Sequence, residues 1–123
     1  MDYSKLCNMG LAIDPLIRFT GILDKDGALV FGKHKDGVTS LLDPDEVKMS
    51  VHYTFQRWEN LQNLEYKIGK EQTSVNEYDK VTLISIPFNQ NELFLVSSEP
   101  KSDYNDIVIK TKVVIEKFLK NPS

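Results

Sequence analysis

The segment Leu42-Asp43-Pro44-Asp45-Glu46 is the sequence feature that most constrains how this chain can fold. Asp43 can accept free backbone N–H groups at a helix start, Pro44 suits the first helical position, and Glu46 completes a capping box. Apolar residues then recur at helical spacing, which predicts a long helix from about Pro44 to about Glu65. This main stripe comprises Val47, Val51, Thr54, Trp58, Leu61 and Leu64. We therefore expect the rest of the chain to be organised around this helix.

A second, partial apolar stripe lies on the same predicted helix. Met49 and Tyr53 form it, and Gln56 and Arg57 flank it. Methionine, tyrosine and arginine are enriched in the cores of protein interfaces. A helix with two apolar sides is expected to pack on a sheet with one side and on another surface with the other. That other surface is either a second copy of the chain or the N-terminal or C-terminal helix of the same chain, and the pattern leaves both open.

Five strands are predicted, two before the long helix in the sequence and three after it. The Asp26-Gly27 pair is a strong hairpin signal and joins the first two strands. The turn Asn89–Glu92 joins the last two, and the polar strand that precedes them is expected at an exposed edge of the sheet. The predicted strands are Ile17–Leu23, Ala28–Lys33, Glu71–Tyr78, Lys80–Phe88 and Leu93–Ser98.

A shorter helix is predicted at each end of the chain. The first runs from Tyr3 to Ile13, and the last begins after Ser102 or Asp103 and runs to about Lys120. The element order is therefore α-β-β-α-β-β-β-α, with strands that run as hairpins. This order predicts an α+β sandwich with a five-stranded antiparallel sheet, of the profilin, roadblock and longin kind, in one domain that spans residues 1–123.

Composition excludes several classes of partner and location. A net charge of −3 gives no broad basic field, so a nucleic-acid partner is disfavoured. No apolar run approaches the ~20 residues of a membrane-spanning helix, so no membrane association is expected. The single cysteine, Cys7, cannot form a disulfide within the chain and fits a reducing compartment. We expect a soluble cytoplasmic protein.

The residues that carry most enzymatic chemistry form no recognisable motif here. Cys7, His34 and His52 lie on three different predicted elements without metal-ligand spacing, so no metal site is expected. The acidic residues near Asp43 and Asp103 stand at helix starts, where capping already explains them. No phosphate-binding loop and no nucleophile elbow occurs. We therefore expect no cofactor and place an enzymatic role behind the two functions described below.

Several short segments also carry a resemblance to a known family. They are Asp14–Phe19, Gly21-Ile22, Gly27–Val30, Leu41–Asp43, Lys80–Pro87 and Leu95–Pro100. In this order they resemble a family of small uncharacterised archaeal proteins, a domain of unknown function. The resemblance implies the same fold and a cytoplasmic archaeal origin, but it implies no activity. The broader likeness to roadblock domains implies dimerisation and service as a platform for small GTPases or other partners, at the level of fold analogy.

The first functional hypothesis is a non-enzymatic homodimer that acts as an interaction or regulatory platform. It would associate through the long helix and an exposed strand, because an added strand satisfies the free backbone groups of a sheet edge. The predicted interface residues are Met49, Tyr53, Gln56 and Arg57.

The alternative hypothesis is a sensing domain that holds a small molecule between the sheet and the long helix. Arg18, His52 and Trp58 are the residues expected to line such a pocket. Trp58 also lies on the main stripe, and an ordinary core position is the better explanation for it.

Overall fold

The computed structural model describes all 123 residues. The helices are α1 (Tyr3–Leu11), α2 (Pro44–Leu61), α3 (Glu65–Ile68) and α4 (Tyr104–Lys120), and the strands are β1 (Ile17–Leu23), β2 (Leu29–His34), β3 (Ser74–Glu77), β4 (Thr82–Phe88) and β5 (Glu92–Ser98). The strands form one antiparallel sheet in the order β2-β1-β5-β4-β3. The predicted α+β class and the five-stranded antiparallel sheet are confirmed. None of the helices combines the length and the apolar character needed to cross a membrane.

The central strand β5 separates two unequal hydrophobic layers. Successive side chains of a strand point to opposite faces, so Phe94 and Val96 face one layer while Leu93 and Leu95 face the other. The larger layer lies under α1 and α4, and it holds twelve buried residues. Its members are Leu6, Cys7, Ile17, Ile22, Ile84, Ile86, Phe88, Phe94, Val96, Ile107, Ile115 and Phe118. The main core of the protein is therefore the α1–α4 face of the sheet.

The long helix α2 lies on the opposite face and contributes much less to the core than its pattern predicts. Trp58 is its only buried residue, and it packs with Leu23 and Leu93 in a small cluster. Val51 and Phe55 lie partly buried against this cluster. The expectation that α2 organises the whole chain is wrong, because the two terminal helices together cover the larger apolar area.

The long helix is also shorter than predicted. It ends at Leu61 and is followed by a 3-10 turn, Gln62–Leu64, and by α3, instead of running on to Glu65. The Asn63 side chain donates a hydrogen bond to the Asn60 carbonyl oxygen (3.0 Å), and such local bonds compete with regular helix. As a result Leu61 and Leu64, predicted on the main stripe, are exposed.

The helix caps form as their sequences predict. The Asp43 carboxylate accepts a hydrogen bond from the Glu46 backbone N–H (2.9 Å). The Glu46 carboxylate accepts one from the Asp43 backbone N–H (3.1 Å). Asp103 likewise accepts the backbone N–H of Asp106 at the start of α4 (3.1 Å). The remaining elements differ from the predictions by a few residues at their ends. The largest difference is at β3, which pairs with β4 only over Ser74–Glu77.

Two glycines face each other across the β1–β2 pair beneath an aromatic ring. Gly21 and Gly32 are register partners, and a Cβ atom on either would lie within 2.9 Å of the Phe19 ring. The same ring contacts the His34 ring, with their centroids 4.8 Å apart. An aromatic side chain that covers strand glycines replaces the packing that those glycines lack. Phe19 therefore holds the edge strand β2 against the rest of the sheet.

We predict that Gly32→Ala lowers the free energy of unfolding by about 1 kcal/mol, because overpacking costs about 1–3 kcal/mol and reduced chain entropy offsets about 0.4–1 kcal/mol of it. Chemical denaturation monitored by Trp58 fluorescence measures this change. Phe19→Leu should remove the clash, so Gly32→Ala should cost less in that background than in the wild type. Equal costs in both backgrounds would contradict the contact.

A buried carboxylate joins α1 to the start of β5. Glu92 is 7% exposed and accepts hydrogen bonds from the Tyr3 hydroxyl and from the Asn89 side-chain amide, the latter at 2.7 Å. Burial, followed by the hydrogen bond to Glu92, raises the pKa of Tyr3 to about 12 from its ordinary value of 10.0. The neutral phenol is therefore the form that stabilises the folded state.

We predict that Tyr3→Phe lowers the free energy of unfolding by about 1–3 kcal/mol, because it removes one partner of a buried carboxylate. A group with a raised pKa stabilises the fold below its unfolded pKa and loses this effect as pH rises through its folded pKa. The difference between wild type and variant should therefore hold below pH 10.0 and vanish towards about 12. Denaturation across this pH range tests it, with Tyr104→Phe as the exposed control. A difference that persists at the highest pH would contradict the assignment.

Candidate functional site

The outward side of α2 presents the apolar residues predicted as an interface. Met49 is 59% exposed and Tyr53 is 61% exposed. Gln56, which follows them on the helix, is exposed as well. The helices α1 and α4 pack on the opposite face of the sheet, so neither covers this surface. Of the two alternatives for the second stripe, cover by a terminal helix of the same chain is excluded by the topology.

Arg57, the fourth predicted interface residue, is engaged within the chain. Its guanidinium donates two hydrogen bonds to the Glu71 carboxylate, each 3.0 Å long. Such a bidentate pair fixes the geometry of both side chains. It ties the end of α2 to the segment that enters β3. Arg57 therefore borders the exposed surface and positions the neighbouring strand.

A further apolar region, which the sequence pattern did not reveal, follows the end of α2. Tyr66 is 81% exposed and Ile68 is 78% exposed, and Leu61 and Leu64 precede them. Helical periodicity placed the two leucines in the core, and only the irregular helix end turns them towards solvent. Apolar residues on adjoining exposed turns are typical of a protein contact surface. We call Met49, Tyr53, Leu61, Leu64, Tyr66 and Ile68 together the α2 surface.

The edge strand β3 has free hydrogen-bonding groups next to the end of the α2 surface. The Tyr78 N–H bonds to the Val81 carbonyl oxygen (2.9 Å) in the turn to β4. Because N–H groups alternate in direction along an antiparallel strand, those of Val75 and Glu77 point away from β4. The predicted exposed edge in this part of the chain is confirmed.

The residues of the alternative pocket do not come together. His52 lines an open cleft of about 550 Å³ between the first half of α2 and the β1–β2 turn, but neither Arg18 nor Trp58 lines it. Arg18 instead pairs with Glu99 (2.6 Å) and donates a hydrogen bond to the Thr39 carbonyl oxygen (2.9 Å). Trp58 is 6% exposed and belongs to the small cluster under α2.

The side chains that could act as nucleophiles, bases or metal ligands are spread over the molecule. Cys7 is fully buried, and burial raises the pKa of its thiol to about 11, so it is protonated at neutral pH and is a poor nucleophile. The exposed His34 and His52 lie on β2 and α2, on the other side of the sheet from Cys7. Nowhere in the chain do three His, Cys, Asp or Glu side chains gather in a way that could hold a metal ion.

Several solved structures share this arrangement of helices and strands, and a Roadblock/LC7 domain is one of them. A Roadblock/LC7 domain from Streptomyces avermitilis has 14% identity and a TM-score of 0.73, over 98% of this chain and 95% of that one. The gliding protein MglB from Thermus thermophilus has 12% identity and a TM-score of 0.78, over 95% and 85%. An MglB in a tetrameric arrangement has 13% identity and a TM-score of 0.75, also over 95% and 85%. At these identities the likeness shows a shared roadblock-like fold.

Sequence comparison identifies a family for almost the whole chain. No curated protein sequence matches it. A family signature matches residues 1–122. The resemblance to a domain of unknown function, inferred from short segments, is thereby confirmed. The chain belongs to the family of unknown function DUF6659, and it has a roadblock-like fold.

Proposed function

We propose that this protein is a non-enzymatic, cytoplasmic homodimer that serves as an interaction platform. The observation that supports this most directly is the α2 surface, in which Met49 and Tyr53 remain exposed because no element of the same chain covers them. Several exposed apolar residues along one helix and the turns that follow it are typical of an association surface. The single buried cysteine fits a reducing cytoplasm.

In this proposal two α2 helices pack antiparallel about a two-fold axis near Gln56. A two-fold interface uses the same residues on both copies, so each contact occurs twice. The antiparallel arrangement brings Met49 and Tyr53 of one copy towards Leu61 and Leu64 of the other. The two groups are uncharged, so the contact requires no burial of unpaired charge. Arg57 is already neutralised by Glu71 and can border the interface without that cost.

The β3 edges supply the second element of the proposed dimer. Antiparallel pairing of two β3 strands about Asn76 sets Val75 opposite Glu77, so no like charges face each other. The outward N–H groups of Val75 and Glu77 would gain carbonyl partners in the other copy. An edge with free N–H and C=O groups is otherwise open to unspecific pairing. The Arg57–Glu71 pair links this edge to α2, so both contacts can form together.

We predict that Tyr53→Asp and Met49→Glu each convert the dimer to monomer at micromolar concentration. Loss of a packed interface side chain costs about 1–2 kcal/mol per copy, and two copies raise the dissociation constant roughly 30- to 1000-fold. Sedimentation velocity or light scattering over a concentration series measures the change. Ile109→Asp is the matched control, since Ile109 is exposed on α4, on the other side of the sheet. A monomeric wild type at tens of micromolar would contradict the proposal.

The roadblock-like fold supports a small GTPase as the class of partner, by the analogy stated for the sequence. We predict that the wild-type dimer binds a small GTPase of the same organism with a preference for one nucleotide state, and that Tyr53→Asp loses this binding with the dimer. Biolayer interferometry with the GTPase loaded with GDP or a non-hydrolysable GTP analogue measures both effects. Binding by the monomeric variant with unchanged affinity would show that the platform does not require the dimer.

A small-molecule sensor is the second candidate function, and the cleft beside His52 is the observation that supports it. The cleft has apolar walls, and Lys48 and Asp26 also line it. These polar residues are exposed, and the cleft opens to solvent, whereas ligand pockets usually bury most of their ligand. The α2 surface therefore supports the platform better than the cleft supports a sensor.

A further inference from the structure

The second sheet edge, formed by β2, lies at the far end of the sheet from β3. β2 pairs only with β1, so its outer N–H and C=O groups are free. Along the chain this edge changes from apolar residues, Leu29 to Phe31, to basic ones, Lys33 to Lys35. Leu29 and Val30 are exposed although both are apolar. The edge thus presents an apolar half and a basic half in a fixed order.

The positive charges beside this edge have no carboxylate partners. The Lys33 ammonium donates a hydrogen bond to the Asn8 amide oxygen (2.9 Å), and the Lys35 ammonium donates one to the Asp14 backbone carbonyl oxygen (2.7 Å). The ion pairs of the protein involve Arg18, Arg57 and Lys110, and none involves these lysines. The edge can therefore attract an acidic partner.

The open cleft of about 550 Å³ begins where β2 begins. Leu29 lines it from the strand, and Val47, Val51 and Phe55 line it from α2. Lys48 and His52, also from α2, are its basic residues, and Asp26 is its one acidic residue. A cleft of this size accommodates an apolar side chain of a bound segment. Val30 forms a bulge in the β1–β2 pairing, so regular strand addition is expected from Phe31 to Lys35, with the cleft just beyond.

We propose that the β2 edge and this cleft together bind an extended, acidic segment of another protein as a sixth, antiparallel strand. Acidic residues in the first half of the segment lie opposite Lys33 and Lys35, and an apolar residue near its end enters the cleft. Main-chain hydrogen bonds supply affinity in this mode of recognition, and the side-chain contacts supply specificity. The expected partner is therefore a segment in extended conformation in which acidic residues are followed by an apolar residue.

A second copy of the chain is a poorer occupant of this edge. Antiparallel pairing of two β2 strands about Gly32 sets Phe31 opposite Lys33 and Val30 opposite His34. Each apolar residue would then face a basic one, and no acidic residue would meet the lysines. Charged residues on an edge discourage pairing between identical strands. The β2 edge also lies at the end of the sheet opposite β3, so the proposed dimer leaves it free, and the two proposals stand independently.

Two blocked seven-residue peptides test the proposal. One has glutamate at positions one and three, leucine at position six and threonine elsewhere; the other has lysine in place of glutamate. Titration into the ¹⁵N-labelled full chain should shift the amide signals of residues 29–35 and 47–55, with the acidic peptide bound about 5-fold more tightly, since each cross-strand charge pair contributes modestly. Absence of shifts with either peptide at millimolar concentration, or shifts confined to β3 or α4, would overturn the proposal.

Variants separate the contributions of charge, cleft and dimer. Lys33→Glu should reverse the preference to the basic peptide, whereas Lys117→Glu, on α4, should leave it unchanged. Val47→Arg should weaken binding of both peptides by filling the cleft, and its amide spectrum shows whether it folds. Tyr53→Asp should retain the binding, so a failure of dimerisation is distinguished from a failure at β2. An unchanged peptide preference in Lys33→Glu would contradict the charge assignment.

Discussion

The packing of α1 and α4 around Phe94 is the interaction on which the rest of this structure depends. Phe94 lies on the central strand, and Leu6 from α1 and Phe118 from α4 are fully buried in the same layer. Helix α1 approaches the sheet so closely that a Cβ atom on Gly10 would lie 2.8 Å from the Phe94 ring. With both terminal helices committed to this face, only α2 remains for the other face, and a single helix cannot cover a five-stranded sheet.

The exposed features of the molecule follow from this unequal division. Trp58 is the only fully buried side chain of α2, and Val51 and Phe55 beside it are only partly buried, so much of the apolar surface of α2 stays exposed. Each end of the sheet also keeps a free edge, with a mostly uncharged strand at β3 and a basic strand at β2. The two edges differ in the partners that their charges allow. We therefore propose a second identical copy at the β3 edge beside the α2 surface and a different, acidic chain at the β2 edge.

Much of the fold could be predicted because it depends on neighbours in the sequence. The capping box at Asp43, the hairpin at Gly27 and the turn that joins the last two strands each involve residues a few positions apart, and all three form as expected. The predictions for the candidate site were less complete. The second stripe on α2 was identified, but periodicity left open whether a terminal helix of the same chain covers Met49 and Tyr53, which the structure shows exposed, and Tyr66 was not identified at all.

The sequence by itself determined the order of the elements, their approximate ends and the antiparallel sheet, because capping, turn chemistry and side-chain period act over a few residues. Only the tertiary structure decided which face holds the core, since both faces of β5 are apolar and contacts between distant segments choose between them. The same holds for the Arg57–Glu71 pair and for the cleft between β2 and α2. Each is formed by residues of separate elements, and a local sequence pattern does not show which elements come into contact.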